Sequence, residues 1–118
     1  MATMQIDLSQ LRTLTGDDNE FMIEILELIL EQSPVVVEDM KRMLSQGDYP
    51  ALGATAHKYK SSINILGNPD LNQLMRVIEN TARDSEQKDI LPDAVREFES
   101  YASEMLDLIR TEVDLLRD

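Results

Sequence analysis

Apolar residues recur at intervals of three and four along most of the chain, and this spacing constrains the fold more than any other feature. An α-helix has about 3.6 residues per turn, so residues at these intervals form one apolar stripe along a helix. The sequence therefore predicts an all-α protein. The stripes comprise Phe21, Ile25, Leu28 and Ile29; Val36, Met40, Met43 and Leu44; Leu52, Ala56, Tyr59, Ile63 and Leu66; Leu71, Leu74, Ile78 and Ala82; and Val95, Phe98, Ala102, Met105, Ile109, Val113 and Leu116.

Capping and breaking residues set the helix boundaries in the first part of the chain. Asp7 can cap a short helix through Leu14, and after an acidic turn the second helix covers 18–32. Ser33-Pro34 predicts a break or a kink, because proline has no backbone N–H to donate. A further helical stretch follows and ends at Gly47.

The second part of the chain has equally clear boundaries. Asp48 can cap a third helix, with Pro50 tolerated in its first turn. Gly67-Asn68-Pro69 predicts a stop followed by a new helix start. The polar run 84–89 predicts a loop, and the last helix begins near Pro92. Because short links join four long helices, we expect an antiparallel four-helix bundle with a short extra N-terminal helix.

Composition limits the class of protein. The chain has 118 residues, 42% of them hydrophobic, which suits one core, so we expect a single domain over residues 1–118. It has no cysteine, no basic and apolar leader and no apolar run of about 18 residues, which favours a cytoplasmic protein that does not enter the membrane. A net charge of −12 disfavours nucleic acid, whose phosphates would be repelled.

His57 is the only histidine in the chain, and helical spacing predicts that it faces solvent. At about 100° per residue it lies roughly 140° from the centre of the apolar stripe of its helix. Gly53, Ala54, Ser61 and Asn64, which are small or polar, are predicted to lie near it within two turns. A partner protein could therefore approach the imidazole closely.

Lys58 and Lys60 flank this histidine in a chain with 23 acidic and only 11 basic residues. Such cations would keep the imidazole neutral and nucleophilic, and would later stabilise a phosphoryl group carried on it. The alternative interpretation is an ordinary surface histidine beside two solvated lysines, since exposed charges are common on helices.

Neither a metal site nor an enzyme is favoured by the remaining residues. A di-metal helical bundle needs Glu-x-x-His pairs from two helices, but Ala54 stands three residues before the single histidine. The acidic series Glu20, Glu24, Glu27 and Glu31 is better interpreted as a solvated helix face. The sequence also has no glycine-rich phosphate loop and no nucleotide fingerprint. We therefore expect no metal.

The residues around the histidine resemble the signature of a known family, the histidine-containing phosphotransfer (HPt) domain of bacterial multistep phosphorelays. The resemblance extends over nearly the whole chain, because the flanking helices fit the family's lengths and order. The matching residues are Ala56-His57-Lys58-Tyr59-Lys60, the small Ser61, Gly67, Leu71, Leu74 and Ile78-Glu79.

The resemblance implies a function and a set of roles. His57 would accept a phosphoryl group from a receiver-domain aspartate and pass it to another receiver, and Lys60 would support the phosphoryl oxygens. Asn64 is a candidate hydrogen-bond donor to those oxygens, whereas Gly53, Ala54 and Ser61 would provide clearance. Lys58 would add positive charge nearby.

The resemblance also implies the partners. These would be response-regulator receiver domains and a hybrid sensor histidine kinase. The chain would not be an enzyme by itself and would need no cofactor. Mg²⁺ would be bound by the receiver. Leu8 and Leu11 could help to grip the receiver. The family usually has glycine where this chain has Ser61. This difference keeps open an alternative, a helical-bundle adaptor that binds a receiver or kinase and is never phosphorylated.

Overall fold

A computed structural model describes residues 5–84 and 86–118, and in this part of the chain the secondary structure is helical, with no strand. The all-α prediction is therefore confirmed. The helices are α1 (Ser9–Leu14), α2 (Asn19–Ser45), α3 (Tyr49–Ile63), α4 (Pro69–Asp84) and α5 (Leu91–Arg117), with short 3-10 turns at Asn64–Leu66 and Lys88–Ile90.

The four long helices form a closed bundle. Helix α2 packs against α3 and α5, and α4 packs against the same two helices from the other side. Lys41 Nζ lies 3.1 Å from Glu99 Oε2, and at the other end Arg117 pairs with Glu27, so α2 and α5 run antiparallel. The predicted four-helix bundle with a short N-terminal helix is confirmed.

The side chains of Asp18, Asp48 and Asn68 cap α2, α3 and α4. Each accepts a hydrogen bond from a backbone N–H in the first turn of its helix, at 3.2, 3.2 and 2.9 Å respectively. These bonds satisfy donors that a helix N-terminus leaves without an internal partner. Two of the three caps, at Asp48 and Asn68, fix the starts of α3 and α4.

The apolar residues Leu8 and Leu11 at the start of α1 belong to the core, whereas the other residues of this helix are exposed. Leu11 is fully buried and Leu8 nearly so, which excludes the expected role of these two residues in gripping a receiver. The segment is held by a 2.7 Å hydrogen bond from the Asp7 backbone N–H to the Leu66 carbonyl. Gly67, with φ +62°, lies so close to Asp7 that a Cβ would be 2.8 Å from it. Leu8 and Leu11 therefore cover one end of the core of the bundle.

Helix α2 continues through Pro34, so of the predicted break or kink at Ser33-Pro34 the break is wrong. Proline removes one helical hydrogen bond at a cost of about 3 kcal/mol. Buried residues on both sides of it, Ile29 and Val37, keep the two halves of the helix anchored on the same core. In addition, the Ser33 hydroxyl lies 2.6 Å from the Ile29 carbonyl and 2.6 Å from the Tyr59 hydroxyl. Burial of apolar surface thus outweighs the missing bond.

Candidate functional site

Helix α3 presents His57 to solvent, as its spacing predicts. The inner face of the helix buries residues one or two turns apart: Leu52, Ala56, Tyr59 and Ile63. The imidazole of His57 is 57% exposed on the opposite side of the helix. Because α3 is capped at its start and packed along its inner face, the ring stands on a fixed backbone and can be reached from outside.

A buried carboxylate of α4, Glu79, contacts the imidazole. Glu79 Oε2 lies 2.7 Å from His57 Nδ1, and Glu79 Oε1 accepts a 2.9 Å hydrogen bond from Lys60 Nζ. Arg83 Nη1 lies 3.0 Å from Oε2, one turn further along α4. The Glu79 side chain is only 7% exposed, so it is largely shielded from water. Three basic side chains therefore meet at one carboxylate.

This arrangement keeps Glu79 ionised. The hydrogen bond from Lys60 is the largest influence and lowers the pKa of Glu79 below its ordinary value; burial opposes this shift, and the hydrogen bond with His57 supports it. An ionised carboxylate can only accept hydrogen bonds. The Nδ1 nitrogen of His57 must therefore be the donor, and in the neutral ring the free lone pair lies on Nε2. Because Nδ1 faces Glu79, the ring nitrogen that carries the lone pair points away from this carboxylate.

The structure changes the expected electrostatics of the site. The sequence suggests two lysines beside the imidazole, but the group in contact with the ring is a carboxylate, and the charge of Lys60 is paired with it. Lys58 lies on the opposite flank of α3, where it lines a groove shared with α2. The two lysines are separated because successive helical residues point about 100° apart.

Gly53 does not provide clearance for a partner, because it is buried against α4. A Cβ at this position would lie 3.1 Å from Arg83 Cγ and 3.4 Å from the Glu79 carbonyl oxygen. The missing side chain thus lets α3 and α4 approach closely. Ala54, in contrast, is exposed, which is compatible with the predicted clearance before the histidine.

Ser61 and Asn64 lie on the outer surface, in a shallow notch of about 390 Å³ that Lys60, Asn72 and Arg76 also line. Asn64 Oδ1 accepts a 3.1 Å hydrogen bond from Asn72 Nδ2. Asn64 follows the histidine by seven residues, about 10 Å along the helix axis. This distance favours a contact between Asn64 and a partner over a direct bond to a phosphoryl group on the ring.

Part of an exposed apolar row on α2 lies beside α3, and sequence spacing placed two residues of this row, Phe21 and Leu28, on the predicted apolar stripe. Phe21, Leu28 and Val35, spaced by seven residues, are exposed, whereas Met22, Leu26 and Ile29 carry the buried face. Both sets have helical spacing, so periodicity alone does not tell them apart. Leu28 and Val35 line one wall of a groove of about 470 Å³, and Thr55, Lys58 and Ser62 of α3 line the other.

Glu79 is part of the family resemblance, which assigns it no role. A signal for that role does exist in the sequence. Glu79 stands four residues after Met75 and three before Ala82, so a carboxylate occupies a position on the apolar stripe of α4. A charged residue at such a position requires a buried partner. Arg83, one turn later, is one partner; the other two come from α3 and depend on how the helices pair.

The described residues contain no group of three or more His, Cys, Asp or Glu side chains that could hold a metal ion. In the same part of the chain no helix is both long enough and apolar enough to cross a membrane. The candidate site thus consists of His57, Lys60, Glu79 and Arg83.

Comparisons with known proteins identify the family of the chain. No curated protein sequence matches the chain. The crystal structure of histidine-containing phosphotransfer protein B (HptB) from Pseudomonas aeruginosa PAO1 has a similar fold, with a TM-score of 0.84 at 21% sequence identity, covering 93% of this chain and 95% of that one. A sequence model of the Hpt domain matches residues 24–118. This match spans most of the chain and includes all four residues of the site, so the chain belongs to the Hpt domain family.

Proposed function

We propose that this protein accepts a phosphoryl group on His57 Nε2 from the aspartyl phosphate of a response-regulator receiver domain and passes it to another receiver. The observation that carries the proposal is the 2.7 Å contact between Glu79 Oε2 and His57 Nδ1. An ionised acceptor at Nδ1 leaves the lone pair on the exposed nitrogen. Membership of the Hpt family supports a phosphorelay role of this kind.

The proposed transfer needs no cofactor bound to this chain. The Nε2 lone pair attacks phosphorus, the bond between phosphorus and the aspartyl oxygen breaks, and the aspartate leaves as a carboxylate. The Nδ1 proton stays on the ring, which becomes positively charged, and Glu79 stabilises this charge through the existing hydrogen bond. Mg²⁺ held by the receiver would offset the charge of the phosphoryl oxygens during transfer. The reverse step passes the group to the next receiver.

Lys60 supplies positive charge on this side of the ring. It lies one turn after His57, and helical side chains lean toward the N-terminus, so its ammonium group points back along α3 toward the imidazole. We expect one of its three N–H donors to turn toward the phosphoryl oxygens once the group is on Nε2. Arginine or lysine bound to a phosphate forms stronger hydrogen bonds than neutral donors do.

The outer surface of α2 and α3 is the proposed docking face for the receiver. A protein that delivers a phosphoryl group to Nε2 must cover the exposed side of α3, and the groove lined by Leu28, Val35 and Lys58 adjoins that side. Exposed apolar residues beside a reactive group favour burial against a partner. A hybrid sensor histidine kinase would supply the first receiver of the relay.

Transfer of label tests the proposal. Candidate receivers phosphorylated with radioactive phosphate are incubated with the protein, and we expect one acid-labile, base-stable phosphoryl group per chain. His57→Gln should abolish labelling, whereas Arg110→Gln, at an exposed arginine of α5 that lines neither the site nor the groove, should keep it. Circular dichroism of both variants should match the parent. Labelling that survives His57→Gln contradicts the proposal, and binding of receivers without any labelling favours the adaptor alternative.

A further inference from the structure

The side chain of Arg83 passes over Gly53 of α3 and contacts Glu79. It stands four residues after Glu79 on α4, and its Nη1 lies 3.0 Å from Glu79 Oε2, the oxygen that also contacts His57. Its stem crosses α3 at Gly53, where a Cβ would lie 3.1 Å from Arg83 Cγ. Glycine inside a helix costs about 1 kcal/mol relative to alanine. The space that it leaves is occupied by the methylene stem of this arginine.

The two carboxylate oxygens of Glu79 have different partners. Oε1 accepts from Lys60 alone among the described contacts, whereas Oε2 faces both His57 and Arg83. Lys60 therefore has two possible acceptors during phosphotransfer, the Glu79 carboxylate and the phosphoryl oxygens. Removal of Lys60 from a buried carboxylate is costly unless another cation remains.

We propose that Arg83 is a positioning residue for phosphotransfer: seated over Gly53, it neutralises Glu79 and so frees Lys60 to serve the phosphoryl group. This inference rests on the proposed function. With Arg83 in place, Glu79 keeps a cationic partner and its bond to Nδ1 when Lys60 turns away. Without Arg83, Lys60 is the one lysine or arginine among the described residues that pairs with Glu79 before transfer, and we expect it to stay there.

A double-mutant cycle separates this role from a purely structural one. Four proteins are compared for the rate of phosphoryl uptake from a phosphorylated receiver: the parent, Lys60→Ala, Arg83→Gln, and the double variant. In the parent background Lys60→Ala should slow uptake by about tenfold or more, as for loss of a hydrogen bond to a charged group. In the Arg83→Gln background the same substitution should slow uptake by less than about twofold, because Lys60 is already occupied.

For the stability of the unphosphorylated proteins, Lys60→Ala should have a larger effect in the Arg83→Gln background, whereas its effect on uptake is smaller there. Lys60→Ala should lower the melting temperature more in the Arg83→Gln background than in the parent, because Glu79 then loses its last cation. Arg83→Lys should restore part of the effect of Lys60 on uptake. Arg110→Gln removes a comparable exposed arginine, whose Nη1 lies 3.1 Å from Asp107 Oδ1 on α5, and should leave the response to Lys60→Ala unchanged.

Gly53→Ala gives an independent test, because it leaves every charge in place. A methyl group there displaces the stem of Arg83, and we expect the slowing caused by Lys60→Ala to shrink toward the value seen with Arg83→Gln. An equal slowing by Lys60→Ala in the parent and in Arg83→Gln overturns the role of Arg83 while leaving the proposed function intact. A parent protein that takes up no label from any receiver overturns both.

Discussion

Glu79 Oε2 lies 2.7 Å from His57 Nδ1, so a carboxylate on α4 fixes the protonated side of an imidazole on α3. The bond joins residues 22 positions apart in the chain. It determines which ring nitrogen carries the lone pair, because a histidine that donates from Nδ1 leaves the lone pair on Nε2. The tautomer of the ring is thus a property of the helix pair and not of the histidine alone.

Glu79→Gln should slow phosphotransfer more than it perturbs the fold. Glutamine keeps the shape of the side chain, but its amide can turn either its oxygen or its nitrogen toward Nδ1, so the ring tautomer is no longer fixed. We expect uptake to fall by about 10- to 100-fold, as when a group that orients a ligating histidine is lost. Nitrogen-15 NMR of His57 should show a mixture of tautomers. A single Nδ1–H tautomer in this variant would contradict the assigned role.

Acid should destabilise the protein partly through Glu79. The pKa of this carboxyl is lowered from its ordinary 4.5, chiefly by the hydrogen bond from Lys60. A group whose pKa is lower in the folded state adds stability above the unfolded pKa, and this stability is lost as the pH falls through the folded pKa. Urea unfolding of the parent should therefore show a fall in stability below about pH 4.5 that is smaller in Glu79→Gln. Equal slopes would exclude Glu79 as a contributor.

Tyr59 should produce a loss of stability in alkali. Burial raises its pKa from 10.0 to about 12, and the hydrogen bond with Ser33 opposes this shift. A group whose pKa is raised on folding contributes stability that is complete below the unfolded pKa and is lost as the pH rises through the folded pKa. Melting temperatures of the parent should thus begin to decline near pH 10. Tyr59→Phe should flatten this decline, even though its stability at neutral pH is lower by about 1 kcal/mol for the lost hydrogen bond.

Ser61 tests how closely a receiver approaches α3. Its side chain is exposed at the rim of the notch beside Lys60. Ser61→Arg should block transfer by steric exclusion, whereas Ser61→Gly should leave transfer intact or faster despite a loss of up to about 1 kcal/mol in helix stability. Both variants need a check of helical content before the rates are compared. Uptake by Ser61→Arg at the parental rate would place the docking face elsewhere.

Leu28 tests the proposed docking face on α2. The residue is 52% exposed, so Leu28→Asp should change stability by less than about 0.5 kcal/mol. Receiver binding should weaken about tenfold or more if the leucine is buried at the interface. Leu115, 62% exposed on α5, is the matched control, and Leu115→Asp should leave binding unchanged. Titration of each variant with an unphosphorylated receiver gives the comparison, and equal affinities would exclude the groove.

Apolar periodicity predicted the helices, because each one buries a stripe against the same core. It did not predict the continuity of α2 at Pro34, where tertiary packing outweighs a local preference. Nor did it place Leu28, since a residue in an exposed row has the same spacing as one in a buried row. Burial of one row and not the other depends on where α3 and α5 lie.

Only the part of the site that lies on a single helix could be predicted from the sequence. His57 and Lys60 share one helix, so spacing alone relates them. Glu79 reaches them from another helix, and Gly53 lies at the crossing between the two. These relationships depend on the register of α3 against α4, which no pattern within a single helix contains. The clearance expected at Gly53 is wrong because its space is filled from within, by Arg83.

The charged network occupies one contiguous helical hairpin, from Gly53 on α3 to Arg83 on α4. The exposed apolar row at Phe21, Leu28 and Val35 belongs to a different helix and contributes no atom to that network. Substitutions of exposed residues on α2 can therefore change which partner surface the bundle contacts. The Glu79 carboxylate, the His57 ring and Lys60 stay in place. The part of the proposed docking face that lies on α2 is thus separate in sequence from the charged network, so a duplicated copy of such a chain could change its partner preference through α2 while His57, Lys60 and Glu79 stay unchanged.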